Sequence, residues 1–155
     1  MKKLTYEGVD DFRYIFSEQF APLRESCLLF SEHNIPHSKV CYTPKNIQKS
    51  TQIYNRFIVG SDQTWSMERY ISMNGFYLLP FLKRNVKCYA YAPSIGTTTI
   101  APEYARILLQ QLSKFETISC REKTNSRTLG KLMRREVVTV VDPTMLFTGE
   151  DWRNI

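Results

Sequence analysis

The sequence predicts a Rossmann-like α/β domain, a parallel sheet with helices on both faces, on three observations. Short apolar runs stop abruptly at glycine or polar turns, as buried parallel strands do. These runs alternate with stretches of helical period, and such repetition implies right-handed crossovers between parallel strands. The polar clusters fall directly after the strands, where an open parallel sheet binds its ligands.

Residues 1–55 read as an irregular, partly helical lead-in. Residues 10–20 suit a helix, with Phe12, Ile15, Phe16 and Phe20 along one side. Pro22, Pro36 and Pro44 then interrupt the chain, which predicts an extended, loop-rich segment. Residues 38–42 suit a short strand or an extended lead into a helix. Thr43-Pro44 suits a helix start over residues 45–55, because threonine can cap and proline fits the first turn.

Residues 56–149 form the predicted core. Phe57-Ile58-Val59 is the first strand and ends in Gly60. Residues 87–92 are the second, ending at Pro93-Ser94-Ile95-Gly96. Pro102 opens a helix with Tyr104, Leu108, Leu112 and Phe115 in one stripe. Thr117-Ile118-Ser119-Cys120 is the third strand, residues 125–135 a further helix, and residues 137–141 a fourth strand that stops at Asp142-Pro143.

A chain of 155 residues, 43% hydrophobic and 23% charged, can bury one sizeable core. That composition excludes disorder, collagen, coiled coil and low-complexity classes. No apolar stretch is long enough to span a bilayer. Met1-Lys2-Lys3 has no apolar region behind it, so it does not read as a signal peptide, and a cytoplasmic location is expected. The four cysteines, Cys27, Cys41, Cys88 and Cys120, contain no C-x-x-C pair and read as reduced thiols, at least two of them on core strands.

The net charge of +6 favours anionic ligands or surfaces only weakly. Lys123, Arg127, Lys131 and Arg134 form a helical stripe without interleaved aromatics, which reads as a solvated face rather than a nucleic-acid surface. His33, His37 and Cys41 have helical metal-ligand spacing, but Pro36 breaks that helix, so no metal site is expected.

Four strand ends carry the polar chemistry. They are Gly60-Ser61-Asp62-Gln63-Thr64-Trp65, Pro93-Ser94-Ile95-Gly96-Thr97-Thr98, Arg121-Glu122 and Asp142-Pro143-Thr144. Together they describe a cleft of glycine, hydroxyl, carboxylate and guanidinium groups. The pattern implies a site without specifying a reaction. Ser94 and Gly96 lie in a turn whose backbone amides could face a ligand, although no complete dinucleotide or P-loop fingerprint is present.

The strings from Phe57 to Trp65, from Tyr89 to Gly96, from Ile118 to Glu122 and from Val141 to Leu146, closed by Glu150-Asp151-Trp152, resemble the polysaccharide pyruvyl transferase family. The resemblance covers roughly residue 12 to the end. It implies transfer of the enolpyruvyl-derived group of phosphoenolpyruvate to hydroxyls of a saccharide acceptor, with no further cofactor. It also implies one half of a GT-B-like two-domain enzyme. Against that plan the chain lacks the first strand–helix unit and stops where a second domain would begin, residues 150–155 reading as the start of a linker. The chain alone is therefore expected to be inactive.

By the same resemblance, Asp62 and Arg121 are the candidate catalytic residues. Asp62 is read as a base on a sugar hydroxyl or its hydrogen-bond partner, and alternatively as a turn residue capping the next segment. Arg121 is read as a bidentate anion contact, and alternatively as the ion-pair partner of Glu122 or Asp142. Gly60, Ser61, Gln63, Trp65, Ser94, Gly96, Glu122 and Asp142 are the candidate substrate-binding residues. Trp65 is either a stacking platform for a sugar or an apolar anchor. Asp142, held extended by Pro143, is read more as an organiser of loops than as a catalyst.

Two other readings stand beside this one. One is a non-catalytic remnant that at most binds a sugar or a complementary chain. The other is a glycosyltransferase-like module that takes a nucleotide sugar. An uncovered sheet edge also predicts self-association.

Overall fold

The computed structural model describes residues 20–83 and 85–155. The chain divides into two compact units, Met1–Cys41 with Asn154–Ile155, and Tyr42–Arg153. Apart from Phe20, the helix expected over residues 10–20 lies outside the described residues.

In the first unit, helix α1 spans Ala21–Asn34. The loop-rich expectation here is corrected. Pro22 sits in the first turn, where its missing N–H costs nothing and its fixed φ suits a helix start. Pro36 falls just beyond the end, so the two prolines bracket a helix rather than break one. His33 Nδ1 bonds the Leu29 carbonyl oxygen within α1, and His37 reaches Ser31 from beyond its end. Residues 38–42 form neither strand nor helix.

The second unit holds a four-stranded, all-parallel sheet in the order β1-β2-β3-β4. β1 is Arg56–Val59, β2 Lys87–Ala90, β3 Thr117–Cys120 and β4 Val138–Thr139. Between them run α2 (Met67–Ser72), α3 (Pro102–Leu112) and α4 (Lys123–Met133), and α5 (Gly149–Arg153) follows. A 3₁₀ helix over Ile47–Gln52 stands where an α-helix was expected; Thr43 and Asn46 close its entry turn by mutual hydrogen bonds.

α3 forms as its stripe requires. Pro102 occupies the first turn with Glu103 beside it, a carboxylate favoured at the positive end of the helix, and Tyr104, Leu108 and Leu112 are buried. Phe115 lies past the helix end yet in the same core. α2 is capped by Ser66, whose Oγ accepts from the Arg69 N–H at 3.1 Å.

Each successive strand is added in the same direction, so crossovers of one hand place the connecting helices α2, α3 and α4 on one face. Val59, Cys88, Ala90, Ile118 and Cys120 meet Leu108, Leu112 and Leu129 there. The other face carries Ile58, 71% exposed, and Val138, 45% exposed. The expected helix pairing on both faces is thus met on one face by the described helices of this unit.

Trp65 is the centre of the core. It is 0% exposed, packs edge-on against Phe115 at 5.7 Å, and donates from Nε1 to the Tyr77 carbonyl. Its own carbonyl accepts from the Tyr104 hydroxyl at 2.9 Å. Truncating such a residue to alanine costs about 3–5 kcal/mol, so the loop after β1 is fixed from below by packing.

Candidate functional site

The strand ends are tied to one another by backbone. Tyr91 N–H donates to the Val59 carbonyl, Ser94 N–H to that of Asp62 at 2.7 Å, and Trp65 N–H to that of Ser94. Gly60 makes this crossing possible. Its φ is +123°, and a Cβ there would overlap the Tyr91 carbonyl. Gly60 thus has a structural task, and the approach it permits is of backbone to backbone.

After β2 the chain turns through Ala92, which has φ 54°. Ser119 of β3 holds that turn. Its Oγ accepts from the Ala92 N–H at 3.1 Å and donates to the Ala90 carbonyl at 3.0 Å. Ser119 escaped the sequence reading because within a strand it looks like any small residue; only register places its hydroxyl beside a left-handed turn.

Arg121 stands at the centre of the charged groups. Its Nη1 donates to Asp142 Oδ2 at 2.9 Å and its Nε to Glu122 Oε1 at 3.1 Å. Nη2 lies 3.8 Å from Asp62 Oδ1. The ion pairing that the sequence left open beside anion binding is therefore present. These bonds raise the guanidinium's pKa still further, Asp142 contributing most.

Asp142 is held on both oxygens. Oδ1 accepts from both the backbone N–H and the hydroxyl of Thr144, while Oδ2 takes Arg121. Its carboxyl is held below the usual range by the Arg121 hydrogen bond and then by Thr144. The segment after it is braced in turn, since Trp152 Nε1 donates to the Thr144 carbonyl at 3.1 Å and Thr148 and Asp151 cap α5 reciprocally.

Beside this cluster opens a cleft of about 250 Å³ lined by Gln63, Ser94, Gly96, Glu122, Thr124 and Asn125, with Thr97 and Thr98 at its side. Four of the expected residues, Gln63, Ser94, Gly96 and Glu122, meet in this cleft. Asp62, whose side chain is 74% exposed, Arg121 and Asp142 form the adjoining charged cluster. Ser61 lies between Gly60 and Asp62, half-buried. Trp65 requires correction: being fully buried, it offers no face to a sugar and is the apolar anchor. Thr124 and Asn125 were missed. Asn125 follows Glu122 by three positions, the spacing that brings side chains together on a helix's first turn, and that signal was legible.

Lys123, Arg127, Lys131 and Arg134 are all exposed. Burial pushes the Cys120 thiol up to about 12 and raises that of Cys88. Among the described residues no group of histidine, cysteine and carboxylates is placed to hold a metal, and no helix is long and apolar enough to cross a membrane.

A parallel α/β unit whose strand ends gather a guanidinium–carboxylate cluster beside a hydroxyl-lined cleft defines a ligand-handling domain of the Rossmann-like class. The family model for polysaccharide pyruvyl transferase matches residues 12–155. The chain belongs to that family. Neither a curated protein nor a solved structure matches it.

Proposed function

We propose that this chain contributes to pyruvyl transfer from phosphoenolpyruvate to hydroxyls of a surface polysaccharide or its precursor, in the cytoplasm. In the balanced reaction one acceptor oxygen bonds to the enol carbon as the vinyl carbon gains a proton and becomes methyl. A second oxygen bonds to the same carbon as its bond to phosphate breaks. The two hydroxyl protons end on the methyl and the phosphate.

The observation that carries this reading is Arg121 at the end of β3, gripped on two nitrogens by Asp142 and Glu122 while Nη2, among the described residues, meets only the exposed Asp62 at 3.8 Å. That free edge suits a carboxylate or phosphate, and a pre-set guanidinium loses little freedom on binding one. Asp62 is then displaced towards the acceptor, where its carboxylate can take a hydroxyl's hydrogen bond. Asp142 and Glu122 position Arg121.

Charge also supports inactivity of the chain by itself. Arg121 is the cation paired with three carboxylates, a net of −2 for the cluster. A donor carrying both phosphate and carboxylate can set one of them on the free edge of Arg121, and this cluster supplies no second cation for the other. The position of β1 at the end of the described sheet and the exposed Ile58 further support pairing with a second copy or a complementary chain.

A thermal-shift comparison tests the reading. Phosphoenolpyruvate should raise the melting temperature of the wild-type chain and leave Arg121→Ala unmoved, since a ligand stabilises only the state that binds it. A rise with a nucleotide sugar and none with phosphoenolpyruvate would instead favour the glycosyltransferase-like module.

A further inference from the structure

The cleft beside α4 differs chemically from the Arg121 cluster, and the difference separates two subsites. Resting on the pyruvyl-transfer reading above, we infer that this cleft takes the neutral acceptor, a saccharide presenting neighbouring hydroxyls, with Glu122 and Asn125 accepting from them.

Two buried polar side chains line the cleft with hydrogen-bonding capacity unspent. Ser94 is 1% exposed; its Oγ accepts from the Gly96 N–H at 3.0 Å, and its own proton has no acceptor among the described residues. Asn125 is 3% exposed and donates from Nδ2 to Glu122 Oε2 at 3.0 Å. A carboxylate only accepts, so that contact fixes the amide's orientation and leaves Oδ1 without a partner among the described residues. Asn125 Oδ1 is not among the sealed, unpartnered side-chain atoms, so it is open to solvent, and a ligand's hydroxyl can take the place of water there.

The rim adds neutral groups of the same kind. The side chains of Gln63, Thr98 and Thr124 have no hydrogen-bond partner among the described residues, and each lines the cleft. No lysine or arginine lines it, and its one charged group is the Glu122 carboxylate. Glu122 sits at the N-cap of α4, so its charge already answers the positive end of that helix. A phosphate would therefore find no cation along this lining, whereas a sugar hydroxyl can donate to Glu122 or Asn125 and accept from Ser94, Thr124 or Gln63. The anion-seeking edge of Arg121 adjoins this cleft through Glu122, which puts acceptor and donor side by side.

Amide NMR spectra of the whole chain provide the test, titrated separately with methyl glycosides of glucose, galactose and mannose, with inorganic phosphate, and with phosphoenolpyruvate. At least one glycoside should shift the Ser94, Gly96, Thr124 and Asn125 amides saturably. Glu122→Gln should weaken that binding roughly tenfold or more, the value of a hydrogen bond to a charged group. Thr124→Val, an exposed change that leaves the core alone, should weaken it less while keeping a dispersed spectrum. Phosphate or phosphoenolpyruvate shifting these amides in place of the glycosides would overturn the assignment. So would silence of every glycoside while phosphoenolpyruvate still shifts amides around Arg121, an outcome that leaves the pyruvyl-transfer reading intact. Glycoside binding with no response anywhere to phosphoenolpyruvate would uphold the saccharide cleft and sink that reading instead.

Discussion

Asp142 Oδ2 accepts a 2.9 Å hydrogen bond from Arg121 Nη1, and the partner oxygen Oδ1 is occupied twice by Thr144. The carboxylate is thus a fixed bracket between the ends of β3 and β4, and the direction of the guanidinium follows from it. Removing it as Asp142→Ala should cost roughly 1–2 kcal/mol, the value of a partly solvated charge-assisted contact. Urea denaturation at neutral pH measures that loss.

The same bracket gives a pH dependence with a definite sign. The folded-state pKa of Asp142 is depressed, so its contribution is complete above the ordinary carboxylate range and disappears as pH falls through the folded value. The stability difference between wild type and Asp142→Ala should therefore be constant near neutrality. It should shrink below about pH 4, where the unfolded carboxyl begins to hold its proton. A difference that grows on acidification would contradict the pairing with Arg121.

Ser119→Ala should cost about 1–3 kcal/mol, because it strands the buried Ala92 N–H and releases the turn that carries Ser94. Equilibrium unfolding measures the loss. Glycoside binding by the folded fraction should weaken as well, since Ser94 lines the cleft.

Gly60→Ala should destabilise by well over 1 kcal/mol, about the threshold where an incompatible φ outweighs the gain in chain stiffness. A side chain there is opposed both by φ +123° and by the Tyr91 carbonyl. Soluble yield and denaturation midpoint report the effect; a wild-type midpoint would mean that the β1–β2 crossing is looser than described.

Self-association should be concentration-dependent and should fall in Ile58→Lys, which puts a charge on the exposed face of the edge strand. Sizing chromatography over a dilution series reads this directly. A monomer at every concentration would count against it.

The strands were legible because each is a short apolar run with a sharp polar stop. β3 appears residue for residue where Thr117-Ile118-Ser119-Cys120 placed it. β4 shrinks to Val138–Thr139, since an apolar run records burial tendency and not where a partner strand ends. α1 was hidden because Pro22 and Pro36 look like breakers until one is seen to start the helix and the other to follow it. At the site, residue type and position named Arg121, Glu122 and Asp142, but their pairing depends on guanidinium orientation, which no local pattern encodes. Trp65 was ambiguous for a related reason. An aromatic after a strand can point outward or inward, and here Phe115 and Tyr104, some 50 and 39 positions away, decide that it points in.

The most direct test of the central claim is calorimetric titration of phosphoenolpyruvate into the wild-type chain and into Arg121→Ala. Saturable binding that disappears in the variant is the predicted result, and it would place the donor anion on the free edge of the guanidinium. Equal heats of binding in both proteins, or none in either, would contradict a donor site built on Arg121.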